Sequence, residues 1–219
     1  MKKLFFILTI LTFFQINTAR ASCSDYFPLP EIELYASYGK LKYDYSKNTK
    51  QITSMAKKAN SLETGLFASG LTTISINMDI SMNSLSKMKG KNKFCVYPKD
   101  LKLSIYFKNP TIYISNQLKP DTCEYNVVLR HEQAHAQINK QVLEYFLPLL
   151  KKATIEIFKT IKPRQVSGIS LIDKASSDIT DEFNKKITPL YNYFKQQIVT
   201  EQQKLDNEKN YQYENQLCN

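Results

Sequence analysis

Two histidines stand four residues apart in the middle of this chain, with a glutamate directly after the first. They are His131 and His135, the only two histidines in 219 residues, and the glutamate is Glu132. Residues i and i+4 lie on the same face of a helix, so both imidazoles can reach one point. Such a pair can bind zinc, and the glutamate can act as a base toward a water molecule that the metal activates. We therefore expect a helix that carries a zinc site.

The residues around this motif favour a buried helix. The other interpretation of the motif is a pair of solvated helix histidines. On a helical wheel, however, five residues fall within about 60° of His131: Val127, Val128, Ile138, Val142 and Tyr145. The face that would bind the metal is therefore also predicted to face the core.

Residues 1–21 have the pattern of a signal peptide. Lys2 and Lys3 form a positively charged start, residues 4–14 form an apolar run, and Ala19-Arg20-Ala21 matches an A-x-A cleavage site. The apolar run is too short to span a membrane. We therefore predict an exported protein, periplasmic or secreted.

The mature chain is predicted to comprise residues 22–219 as a single domain without a transmembrane segment. A lipid-anchored start at Cys23 is the alternative, but Arg20 stands where a lipoprotein signal needs an aliphatic residue.

The mature chain remains basic. Loss of Lys2, Lys3 and Arg20 leaves 27 basic against 20 acidic residues, a net charge of +7. This charge favours acidic partners such as cell-envelope polymers. The lysines are scattered and the chain is exported, so we expect no nucleic-acid partner.

Four cysteines remain after cleavage, and an even count in an exported protein predicts two disulfides. Three pairings are possible. We favour Cys95–Cys123 and Cys23–Cys218, the second of which would join the two ends of the chain. Zinc binding by cysteine is disfavoured because no two cysteines have the close spacing of metal ligands.

The first half of the mature chain has the alternating pattern of strands. Residues 72–82 give the clearest strand, because isoleucine and methionine alternate with polar residues. Residues 48–61 have helical spacing, and residues 84–93 are lysine-rich and predicted to form a loop. The other predicted strands are one or two in 31–46, then 94–97, 101–107 and 111–115.

The second half is predicted to be helical. Asp121 and Glu124 resemble a capping box that starts a central helix over residues 122–146. Pro148 is expected to kink this helix, whose spacing resumes to residue 161. A last helix is expected to start at Ser177 or Thr180, to bend at Pro189, and to run into a polar tail. The order predicts an α+β fold: a mainly antiparallel N-terminal sheet with one helix, then the motif helix and a C-terminal helix packed back on it.

A zinc site needs a third protein ligand and an open position. No histidine is left, so the ligand must be a carboxylate or, less favourably, a tyrosine. The candidates are carboxylates in the C-terminal helices: Asp206, Glu201, Glu182 and Asp178. Helical geometry alone does not choose between Asp206 and Glu201. Tyr211 or Tyr213 can stabilise a developing oxyanion.

The run His131-Glu132-Gln133-Ala134-His135, on a long helix just after a strand, resembles the zincin metallopeptidases. It is also similar to a family of exported bacterial proteins regarded as zinc proteases. These carry His-Glu-Gln-x-His on a helix and then Asp-x-x-Thr-x-His at the end of a long helical stretch. Here Asp206 agrees with the second pattern, whereas Lys209 replaces the threonine and Tyr211 replaces the histidine. The likeness covers roughly the last hundred residues.

This resemblance implies a zincin-like fold and a zinc-dependent metallopeptidase that hydrolyses peptide bonds. Glu132 would be the general base, and Asp206 would join the two histidines as the third ligand. The strand at 111–115 would hold a protein or peptide substrate, such as a component of the cell envelope, in extended form. The alternative is a non-catalytic envelope binding or assembly protein with a structural metal site or none.

Overall fold

The fold is built on two very long strands and two very long helices. The computed structural model describes Cys23 and residues 27–59 and 66–218, so the predicted signal peptide lies outside the described residues. The elements follow in the order β1 (Glu31–Ser37), β2 (Lys42–Asp44), α1 (Thr49–Lys58), β3 (Gly70–Gly90), β4 (Lys93–Ile114), α2 (Cys123–Thr160), β5 (Arg164–Ser167), a 3₁₀ turn (Ile169–Leu171), α3 (Ile172–Leu205) and α4 (Glu208–Gln216).

Strands β3 and β4 form one antiparallel hairpin. The alternation predicted for residues 72–82 is present, because the apolar side chains of β3 share one face of the sheet with those of β4. Met78 lies opposite Ile105, and Ile80 lies opposite Leu103. Four alternate residues in the middle of β4 are almost completely buried between the sheet and the helices: Leu101, Leu103, Ile105 and Phe107.

The sheet is mixed, and the expectation of a mainly antiparallel sheet was wrong for β1 and β2. Both pair in parallel with β4, whereas β3 and β5 pair with it antiparallel. Three short strands, β5, β1 and β2, lie one after another along one edge of β4, and β3 covers the other edge. The crossovers that bring β1 and β2 to this edge are long-range, so local sequence patterns carry no information about strand direction.

Three strands predicted between residues 94 and 115 are one strand, and the predicted loop at 84–93 belongs to the hairpin. Prolines suggested the breaks because they cannot donate to a sheet ladder. Both prolines instead lie at irregularities of the ladder, where pairing is already interrupted. Pro98 stands beside the register shift between Asn83 and Ser84, and Pro110 beside the shift between Thr73 and Ser75.

Helix α2 begins one residue later than predicted and continues much further. Its N-cap is Thr122, whose hydroxyl accepts a hydrogen bond from the Tyr125 backbone N–H, rather than Asp121. It runs to Thr160 through Pro148. Pro148 is exposed, so the carbonyl group that loses its hydrogen bond can be solvated.

Helices α2 and α3 pack antiparallel over one face of the sheet. Phe146 contacts Phe194 with ring centroids 5.3 Å apart, and Phe158 stacks on Phe183 at 5.0 Å. Helix α3 starts before the predicted caps Ser177 and Thr180. This packing brings the end of α3 back to the first turns of α2.

Two disulfides link the described cysteines, but with a different pairing from the predicted one. They join Cys23 to Cys95 and Cys123 to Cys218. The antiparallel return of α3 carries the chain end to the start of α2, which pairs Cys218 with Cys123. In the described ranges, each helix is either too short or too polar to cross a lipid bilayer.

Candidate metal centre

Three side chains meet where the end of α3 crosses the first half of α2. His131 and His135 are 8% and 7% exposed. Their Nε2 atoms lie 3.0 Å apart. The Oδ1 atom of Asp206 lies 3.1 Å from Nε2 of His131 and 3.0 Å from Nε2 of His135. These three groups could hold a metal ion.

The separations of the donor atoms suit a small four-coordinate ion. Zinc–ligand distances of about 2.0–2.2 Å in a tetrahedral site place two ligand atoms about 3.3–3.6 Å apart. The triangle of 3.0–3.1 Å is close to one face of such a tetrahedron. Two imidazoles and one carboxylate are also a donor set that zinc uses. The three residues therefore fit a metal of this class.

A break in the helix gives Asp206 its position. Helix α3 ends at Leu205, and Asp206 follows as its C-cap with φ −82° and ψ 62°. Asn207 then caps α4 by accepting a hydrogen bond from the backbone N–H of Asn210. The chain therefore turns directly after Asp206, and α4 returns toward α2.

Helix α4 supplies two further contacts to the centre. Both carboxylate oxygens of Glu214 lie near Nδ1 of His131, at 3.1 and 3.0 Å. When this nitrogen carries the proton and donates to Glu214, Nε2 of His131 is free to bind a metal. The hydroxyl of Tyr211 donates to Oδ1 of Asp206 at 2.8 Å, and its ring stacks on His131.

Gln202 orients the second histidine. Its side-chain oxygen accepts a hydrogen bond from Nδ1 of His135. Its amide group donates to the His135 carbonyl at 3.1 Å and to Oδ1 of Asn139 at 2.7 Å. Each histidine thus has a hydrogen-bonding partner at Nδ1. The Nε2 atoms of both histidines lie next to Oδ1 of Asp206.

Glu132 lies beside the triad and is not one of its three donors. It is 5% exposed, and Oγ1 of Thr72 on β3 lies 2.8 Å from its Oε2 atom. Strand β3 approaches closely because Gly70 has no side chain: a Cβ atom there would lie 2.5 Å from Oε1 of Glu132. Burial raises the pKa of Glu132, and the nearby His135 opposes that rise.

The metal-free cluster is electrostatically coupled. Burial acts to lower the pKa of His131, but the Asp206 and Glu214 carboxylates outweigh it and raise the pKa to about 9. The pKa of His135 is also raised, since Asp206 outweighs the effect of its burial. Burial acts to raise the pKa of Asp206, yet the two histidines hold it well below its usual range. Burial and Asp206 raise the pKa of Tyr211.

The other carboxylates considered as ligands lie outside this cluster. Each forms an ion pair with a lysine: Glu201 with Lys204, Glu182 with Lys186, and Asp178 with Lys174. Of the two tyrosines considered, Tyr211 reaches the centre, whereas Tyr213 is 60% exposed.

Sequence reasoning missed Glu214, Gln202 and Thr72. Gln202 stands four residues before Asp206, a spacing that puts both on one side of α3. Glu214 lies in a tail that is polar throughout, so nothing in its neighbourhood distinguishes it from a solvated glutamate. Thr72 belongs to a strand far away in sequence, and only the packing of β3 on α2 brings it to Glu132.

A pocket of about 240 Å³ opens beside Thr72, between α2 and the segment that joins β1 to β2. Its walls include Tyr38, Leu41, Tyr43, Ile74, Gln133 and Lys140. The strand expected to hold substrate, residues 111–115, is not available for that purpose. Residues 111–113 pair with β2 on one edge and with β3 on the other.

Comparison with known proteins finds no match to this chain among protein-family models, curated proteins or solved structures.

Proposed function

We propose that this protein is an exported zinc metallopeptidase. The observation that carries the proposal is the triangle of His131, His135 and Asp206, in which both histidines are buried and Asp206 is partly exposed, with Glu132 one residue round the helix from the first histidine. Such a group of ligand side chains is costly to bury unless its members pair with one another or bind a cation, and these three are placed to do either. The two disulfides and the predicted signal peptide support export.

Zinc in this centre would polarise the scissile carbonyl group and make an attacking water molecule more acidic. His131, His135 and Asp206 would hold the ion and leave one position open. Glu214 and Gln202 would keep both imidazoles in the tautomer that binds metal.

Glu132 would be the general base. Its burial raises its pKa, which makes the carboxylate a better proton acceptor than an exposed glutamate. The Thr72 hydroxyl holds Oε2, so the side chain stays next to the ligands without joining them. The proton that Glu132 accepts would pass to the departing amine.

We propose that substrate lies along β3 rather than along residues 111–115. Among the described strands, β3 pairs only with β4, so no described strand occupies its outer edge, where an extended peptide would add. The pocket beside Thr72 would accept one side chain of that peptide, against Leu41 and Ile74.

A second candidate function is a non-catalytic envelope protein with a structural metal. The Tyr211 hydroxyl lies 2.8 Å from the ligand atom of Asp206, so it is close enough to close the fourth position of the metal. A closed site would stabilise the fold without hydrolysing anything.

Zinc titration of the metal-free mature protein, followed by peptide-library hydrolysis, tests the proposal. Glu132→Gln should bind one zinc ion as tightly as the wild type but lose activity by on the order of a thousandfold or more. Glu156→Gln, an exposed glutamate on the same helix, is the matched control and should keep both properties.

The three possible failures have different meanings. Absence of zinc binding by the wild type would refute the metal centre. Loss of zinc from Glu132→Gln would show that this residue is a ligand. Tight zinc binding without hydrolysis of any peptide, together with gain of an exchangeable water in Tyr211→Phe, would favour the structural site.

A further inference from the structure

The closed end of the β3–β4 hairpin is a basic surface with exposed apolar side chains. Twenty-one residues of β3, at about 3.3 Å per residue, put this end on the order of 60 Å from Gly70 and the metal centre. It carries lysines whose side chains are all exposed: Lys87, Lys89, Lys91 and Lys93. We call this region, residues 85–93 with 168–171, the hairpin tip.

No acidic residue occurs in the sequence between Asp79 and Asp100, so the sequence of the hairpin itself offers no negative charge near Lys87, Lys91 and Lys93. The nearest carboxylate in the adjoining segment is Asp173 at the start of α3, and Lys174 follows it. The result is a concentrated positive charge that protrudes from the protein. A protruding surface of this kind attracts an anionic one within a Debye length.

Large apolar side chains alternate with these lysines along β3, with Leu85 on one face of the hairpin and Met88 on the other. Met88 is 64% exposed and Leu85 is 42% exposed. Met88 stands opposite Phe94, which stands opposite Val166 on β5, so an apolar row crosses three strands.

The segment after β5 extends this apolar row. The Gly168 backbone N–H donates to the Asn92 carbonyl at 2.9 Å and so ties the segment to the hairpin turn. Ile169 is 74% exposed and Leu171 is 43% exposed. The hairpin tip thus combines solvent-exposed cations with apolar groups that are held on a fixed backbone.

We infer that the hairpin tip docks on an anionic lipid surface. Charge complementarity selects an anionic partner, and the apolar side chains select a bilayer over a soluble polyanion, which offers them nothing to bury against. Lysines would sit at the headgroups while Met88 and Ile169 enter the boundary with the acyl chains. Docking at this end leaves the metal centre facing away from the bilayer.

Vesicle binding by the full mature protein tests this inference. The probes are vesicles that contain phosphatidylglycerol and vesicles of pure phosphatidylcholine. Each lysine at such a surface contributes roughly fivefold to affinity, so the triple variant Lys87→Gln, Lys91→Gln, Lys93→Gln should bind roughly a hundredfold more weakly. The matched control removes three exposed lysines elsewhere: Lys151→Gln, Lys152→Gln, Lys185→Gln.

Met88→Ser tests the apolar part and should weaken binding several-fold without changing net charge. Circular dichroism of each variant checks that it folds. The inference is overturned if both triple variants lose the same affinity, because net charge alone would then account for binding. It is also overturned if Met88→Ser binds normally while soluble polyphosphate or DNA binds more tightly than the vesicles do.

Discussion

The two halves of helix α2 bury different kinds of side chain. The first half buries mainly polar groups and the second mainly apolar ones, and the position of the polar site depends on the packing of the apolar half. The first half buries His131, Glu132, His135 and Asn139. The second half buries Leu143, Phe146, Leu150 and Phe158 against the sheet and α3. Burial of the polar half costs stability unless every group has a partner, whereas burial of the apolar half stabilises the fold. The apolar half therefore holds α3 in the register that brings Asp206 to the polar half.

The largest expected effects come from removing the two disulfides one at a time. Both removals should destabilise the fold, but only one should weaken zinc binding. The two disulfides close loops of 95 and 72 residues, so by chain entropy each stabilises the fold by about 4–5 kcal/mol. Only Cys123–Cys218 adjoins the candidate metal centre, because it holds α4, which has no buried residue of its own. We expect Cys123→Ala/Cys218→Ala to weaken zinc binding by tenfold or more.

The matched control for that variant is Cys23→Ala/Cys95→Ala, which should be destabilised similarly but bind zinc like the wild type at a temperature where both variants are folded. Calorimetric zinc titration and thermal unfolding measure the two quantities. Equal zinc affinity in the two variants would mean that α4 stays in place without its bridge.

Phe146→Ala tests the apolar half. Phe146 is 1% exposed and contacts Phe194. Its truncation should lower the free energy of unfolding by about 3–5 kcal/mol, since it removes a buried ring and leaves a cavity. Denaturant unfolding measures the loss. Saturating zinc should recover part of it, because the ion binds the folded state alone. If the free energy of unfolding fell by less than about 1 kcal/mol, the second half of α2 would not be the part of the helix that stabilises the fold.

Glu214→Gln tests the polar half without a change of shape. The amide keeps an acceptor for His131 but loses the charge that strengthens the hydrogen bond. Zinc affinity should fall by about tenfold to a hundredfold, as for other partners of metal-bound histidines. Glu208→Gln, an exposed residue on the same helix that bonds only to Gln212 among the contacts described, should bind zinc normally. If both variants behave alike, Glu214 has no orienting role.

Thr154→Val should give the smallest effect and the opposite sign. Thr154 is 1% exposed, and its hydroxyl has no hydrogen-bond partner within the described part of the chain. Valine has the same shape and removes the unpaired polar group, so the free energy of unfolding should rise by about 1 kcal/mol. The same denaturant experiment measures it. A destabilised variant would indicate that the hydroxyl has a partner, such as water.

Much of the local structure was predictable because it depends on near neighbours. Asn48 caps α1 and forms a capping box with Gln51, in the segment where helical spacing predicted a helix. The alternation in β3 faces the core as expected. The sequence by itself also determined that His131 and His135 share one face of a helix, since four-residue spacing does so in any α-helix.

Only the tertiary structure decided what meets that face. Asp206 matched a family pattern, but spacing did not separate it from Glu201, and the break after Leu205 is what turns it toward the histidines. Glu214 and Thr72 reach the centre from elements 83 and 60 residues away in sequence.

The disulfide pairing and the parallel strands β1 and β2 were mispredicted for the same reason. Each depends on how distant segments pack against each other. Neither a hydrophobic pattern nor a cysteine count contains information about that packing. The sequence thus determined the motif and the faces of its main elements. The antiparallel packing of α3 on α2 decided the partners, because burial of the phenylalanines they share fixes which turns of the two helices face each other.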